Sequence, residues 1–156
     1  VPQHRFLGSC AAVFADHFEL TLREIEKAFA VMAIYYGSVP PSHEDSLLFV
    51  ALLSVLKIKR PVLYQSLGKG NISADQFFAQ TALAQLKVQG GEAPNEDWIM
   101  ANVKHCLMSD KELSSAIATE GPPANLARLN HNFGRDRKNI IPSLCWRLDR
   151  FSLLPR

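Results

Sequence analysis

A chain of 156 residues, 47% hydrophobic and 21% charged, is long enough for one domain with a sizeable core. Its composition is that of a globular chain, not of a disordered or fibrous one. The longest nearly apolar run, Ser46 to Leu56, is far short of the roughly 20 residues a bilayer span requires, and is expected to be a buried helix.

The chain opens on Val1 rather than Met and shows no signal-peptide pattern, so it reads as a processed chain or a piece of a longer one. Cys10, Cys106 and Cys145 are odd in number and widely spread, which suggests neither a disulfide framework nor a zinc site. A reducing cytoplasm is the expected compartment. The net charge of +2 is uneven: residues 121–156 carry seven Lys/Arg against two Asp/Glu, behind a mildly acidic body.

Helical signals run through nearly the whole length. Residues Gln3 to His17 place Phe6, Leu7, Cys10, Val13 and Phe14 near one face, with Phe18 just beyond. Leu22 to about Gly37 then puts Leu22, Ile25, Phe29, Met32 and Tyr36 at three- and four-residue steps, the spacing of a core-facing stripe. Pro40-Pro41 ends this element, and Ser42 can cap a third helix from Glu44 to Ile58. Pro61 opens a short fourth piece that stops before Gly68 and Gly70. Ser73-Ala-Asp-Gln76 is a capping box that starts "ADQFFAQTALAQLKV".

The loop Gln89–Asp97 separates this first part from the rest. Residues 1–90 are expected to form a helical, lid-like subdomain, and residues 91–156 a helical extension with a basic tail, unless the two are one continuous domain. Asn95 or Asp97 can cap a helix from Trp98 to Met108, Asp110 to Thr119 offers another, and Pro142 opens a last amphipathic stretch through Leu148. The stretch "EGPPANLARLNHNFGRDRKN" reads as irregular and basic. The predicted fold is all-α, a compact bundle of six to eight short helices with an irregular basic C-terminal segment.

No complete active site is visible. "SLGKGNIS" lacks the first glycine of a P-loop and its Ser/Thr after the lysine, and so reads as a turn. His4, His17, His43, His105 and His131 are not at metal-ligand spacings. The adjacent carboxylates Glu44-Asp45 and Glu96-Asp97 diverge on a helix, which does not suit an acid/base pair. Neither a metal site nor a cofactor site is expected within these residues.

Two features point to binding. At the start of the second helix, Thr21 and Glu24 form a capping box, with Leu20 and Ile25 at the positions of a hydrophobic staple. Arg23 lies in this first turn, where the helix dipole disfavours a cation. It either pairs with Glu19 or Glu26 on the surface or is held out for an anion. In the tail, Arg128, Arg135, Arg137 and Lys138 could contact nucleic-acid phosphates, with Trp146 or Phe133 for stacking. The alternative there is a solvated loop and a helix whose Leu144, Trp146 and Leu148 pack inward. Trp98, Ile99 and Met100, or the terminal "FSLLPR", could instead support self-association or a protein partner.

The segment Phe18 to Phe29, "FELTLREIEKAF", resembles the stretch that follows the nucleotide-binding core in the KAP family of P-loop NTPases. In that family a phenylalanine-rich helix leads into an LTLR-[DE]-[IV]-E helix start and a long apolar helix. The resemblance is closest over Phe14 to Tyr36, looser over the next two helices, and ends before Gly90. It implies that the chain is the C-terminal helical lid of an AAA+/STAND-like ATPase and is not catalytic alone. Arg23 would be a sensor-2-type residue reaching the nucleotide phosphates. ATP, Mg and the Walker motifs would lie in an N-terminal P-loop domain of the same polypeptide. Some members of the family associate with membranes and others act in phage exclusion, so the resemblance leaves the biological process open. The alternative function is a non-catalytic helical module that binds nucleic acid or protein.

Overall fold

The computed structural model describes residues 3–38, 44–119, 126, 128–130 and 136–150. It is an all-α bundle of short helices: α1 (Gln3–His17), α2 (Leu22–Ser38), α3 (Glu44–Lys59), α4 (Pro61–Lys69), α5 (Ala74–Thr81), α6 (Glu96–Leu107), α7 (Asp110–Thr119) and α8 (Ile140–Arg150). Two short 3-10 turns, Leu83–Gln85 and Arg137–Asn139, re-aim the chain. No helix among the described residues is long and apolar enough to cross a membrane.

The centre is α3. From Leu47 through Leu56 every residue is buried, so this helix is apolar all round and must be wrapped on every side. Helices α1, α2, α4 and α8 supply the wrapping. Each fully buried Leu or Phe contributes about 1.5–3 kcal/mol, which makes α3 the largest hydrophobic contributor. The same buried cluster takes Ile99, Val103 and Cys106 from α6 and Ile141, Leu144, Cys145 and Leu148 from α8. The loop after Gly90 therefore separates two stretches of sequence that share one core.

Local chemistry fixes where the helices end. Glu19 adopts a left-handed conformation, while Glu19 N–H donates to Asp16 O and Leu20 N–H to Ala15 O, closing α1. Gly70 closes α4 in the same manner. The stretch after Ser73 was expected to continue as one helix, but it turns at Ala82, which is also left-handed. The Thr81 hydroxyl donates to Phe77 O and accepts from Leu83 N–H, a bond the next helical residue could not offer. This turn carries Leu83 and Leu86 into the core.

The α2 stripe differs from expectation. The helix packs on α3 through Ala28, Met32 and Tyr35, while Leu22 and Phe29 are 74% and 43% exposed. Trp98, Ile99 and Met100 also depart from expectation, because Ile99 is buried and its neighbours are partly buried, with Trp98 edge-on to Phe6. They form no exposed patch. The Pro40-Pro41 stop, the Ser42 cap, Phe133, Arg135 and "FSLLPR" lie outside the described residues.

Candidate functional site

The first turn of α2 is held from two directions. Thr21 Oγ1 accepts from Glu24 N–H (3.2 Å), and Glu24 Oε1 accepts from Thr21 N–H (3.0 Å). Lys59, at the end of α3, donates to the same Glu24 oxygen (3.3 Å) and to Glu19 O (3.4 Å), tying the α1–α2 turn to the central helix. These bonds hold the Glu24 carboxyl below its usual range, with the Thr21 backbone N–H the largest cause, then the Thr21 hydroxyl and Lys59.

Arg23 projects from this fixed turn into solvent. It makes no hydrogen bond or ion pair with the described residues, and neither Glu19 nor Glu26 reaches it. Glu24, the acid in the same turn, is adjacent in sequence and so points away from Arg23, and it is held by Thr21 and Lys59. Leu22, Glu26, Phe29 and Ala33 form an exposed row beside it at helical spacing. The site thus offers a planar cation that makes no ion pair among the described residues, beside the exposed Leu22 and Phe29 and the exposed carboxylate of Glu26. A guanidinium of this kind can form bidentate bonds to phosphate or carboxylate oxygens.

The four cations predicted in the tail do not form one set. Arg128 and Lys138 are exposed, and Arg135 lies outside the described residues. Arg137 must be removed from the phosphate-binding group, because it is only 3% exposed. Its guanidinium donates to His105 O (2.8 Å) and Met108 O at the end of α6, and to Asp110 at the start of α7. The carbonyls that end a helix have no intrahelical partners and carry partial negative charge, so a buried cation is well placed there. Sequence alone did not mark this role, since the acceptors, two of them backbone carbonyls, lie roughly thirty positions earlier.

His105 is buried beside this clasp. Burial first, and then the Arg137 charge, hold its pKa below the usual 6.5, against an opposing Asn130 hydrogen bond. Its Nε2 has no hydrogen-bond partner among the described residues.

A second polar knot joins α3, α4 and α8. Lys57 Nζ donates to Asp149 Oδ1 (2.9 Å) and Leu148 O (3.3 Å), while the Tyr64 hydroxyl lies 2.9 Å from Asp149 Oδ1 and 3.1 Å from Cys145 O. Burial raises the Tyr64 pKa and pushes the Cys145 thiol up to about 12, so neither is an activated nucleophile. Where α4 crosses α8, a Cβ at Gly68 would lie 3.3 Å from Cys145 Cβ, so the two backbones meet closely.

One cleft, of about 320 Å³, lies between α1 (Ser9, Ala12, Val13, Asp16) and the loop carrying Lys87, Gly90, Gly91 and Glu92. Its charges are mixed, and Glu92 faces Arg5 at 3.7 Å. No group of three His, Cys, Asp or Glu among the described residues is placed to hold a metal ion. No protein-family model, curated protein or solved structure matches the chain, so the site stands on its own geometry.

Proposed function

We propose that this chain is the helical lid of a KAP-type P-loop ATPase, presenting Arg23 to the phosphates of a nucleotide held by another part of the same polypeptide. The observation that carries the reading is a guanidinium with no partner among the described residues, on a doubly anchored helix start beside Leu22 and Phe29 left in solvent. A lid must hold its sensing cation in a fixed position without neutralising it, and must keep apolar surface for the domain it covers. The resemblance of "FELTLREIEKAF" to the KAP segment supplies the identity of that domain; the geometry supplies only the suitability of the turn. ATP and Mg would be bound there, and this chain would add charge stabilisation to phosphoryl transfer rather than the chemistry itself.

The test uses the full-length polypeptide. Arg23→Ala should lower ATP turnover by about 10²-fold or more while the helical content stays unchanged. Arg23→Lys should restore little, because an ammonium cannot reproduce the planar fork. Equal turnover by wild type and Arg23→Ala, or a coding sequence lacking any GxxxxGK[ST], would eliminate the lid reading.

A further inference from the structure

Helix α8 buries Ile141, Leu144, Cys145 and Leu148 and turns a different set of residues outward. Asn139, Ser143, Trp146, Arg147 and Arg150 are all exposed, at spacings of four, three, one and three residues. That spacing gathers them into one strip about 16 Å long. Trp146 is 60% exposed, and the Arg150 guanidinium stands 5.1 Å from the centre of its ring. Asp149 is the one acid on α8, and its Oδ1 is already held by Lys57 and Tyr64. The strip therefore presents two cations and an aromatic ring, with small polar groups at its other end.

The helix dipole accounts for cations in a last turn. It does not account for a large aromatic left in water on the same face. Charge complementarity points to a polyanion, and the ring points to a polyanion with flat, stackable groups. We propose that the outward face of α8 binds single-stranded nucleic acid, with a base stacked on Trp146 and phosphates held by Arg147 and Arg150. Base–aromatic stacking combined with a track of cations is the usual chemistry of single-strand binding. An anionic membrane suits this face less well, because its large apolar residues, Trp146 apart, are turned into the core, and a helix lying on lipid needs a broad apolar stripe. The inference is independent of Arg23 and of the ATPase reading, since it uses a different helix and a different ligand.

The experiment is a fluorescence-anisotropy titration of end-labelled dT20 and U20 with the whole chain, from about 50 to 200 mM salt. Binding should be present at low salt and weaken as salt rises. Trp146→Ala should weaken it by about tenfold or more, and Trp146→Phe should recover most of that loss. The double variant Arg147→Ala/Arg150→Ala should lower the slope of log affinity against log salt by about 1.4. Lys111→Ala, an exposed cation on α7, should bind like wild type. The proposal is overturned by no binding at low salt or by binding that Trp146→Ala leaves intact. Capture by phosphatidylserine vesicles without oligonucleotide binding would also overturn it, and would assign the face to an anionic lipid surface.

Discussion

At the first turn of α2 a guanidinium stands in solvent with no ion pair among the described residues, while at the last turn of α6 another is buried against two carbonyls and reaches a carboxylate. Arg23 occupies the pole of a helix that repels it, and Arg137 the pole that attracts it. Neither position is accidental in its surroundings. Glu24 serves the cap and Lys59, and Arg23 beside it points outward, whereas Arg137 takes up carbonyls that a folded core could not otherwise leave dry. The difference separates a cation that holds the fold together from a cation the fold merely holds in place.

Removing Arg137 should have the largest effect. Arg137→Ala deletes charge-assisted bonds and strands two helix-end carbonyls, so it should cost about 3 kcal/mol in urea denaturation. Arg137→Lys should recover only part, since one ammonium cannot span the same three acceptors. A loss below about 0.5 kcal/mol would abolish the contrast between the two arginines.

The buried imidazole beside Arg137 sharpens the comparison through pH. Its folded pKa lies below the usual 6.5, so as pH falls the unfolded chain takes up the proton first. The contribution is fully present above about 6.5 and is lost as pH drops toward the folded value. The denaturation midpoint should therefore fall between pH 7.5 and pH 5 more steeply for wild type than for His105→Gln. Parallel curves would show that the site does not titrate differently on folding.

At α2 the effects should be smaller. Thr21→Ala removes the hydroxyl that caps the helix and should cost about 1 kcal/mol. Arg23→Ala should leave stability within about 0.5 kcal/mol of wild type, or raise it slightly by removing a cation from the positive pole. A substantial loss for Arg23→Ala would mean that its side chain supports the fold after all.

Much of the architecture was readable from residues whose signals are local. The Gln3–His17 and Asp110–Thr119 bounds, the Ser73 cap and the all-round apolar α3 follow from periodicity and from hydrogen-bonding side chains within a few positions, while the structure decides for Asn95 over Asp97 as the cap of α6. What escaped the sequence depends on partners far along the chain. The helix after Ser73 stops where Leu83 and Leu86 are needed in the core, and the exposure of Phe29 depends on which α2 edge α3 accepts. Arg137 looked like surface because a cation in a basic segment normally is. At the candidate site the capping box was legible, but the choice between a paired and an unpaired Arg23 was left open, and the engagement of Glu24 by Lys59 was not visible.

The close crossing of α4 and α8 at Gly68 and Cys145 gives the molecule a built-in clock for its own opening. With its thiol shielded and its ionisation pushed up to about 12, Cys145 is inert to alkylating reagents while the seam is shut. In a variant whose Cys10 and Cys106 are replaced by alanine, the modification rate would count how often the two helices part. Widening the seam with Gly68→Val should quicken that rate before any other signal of unfolding changes.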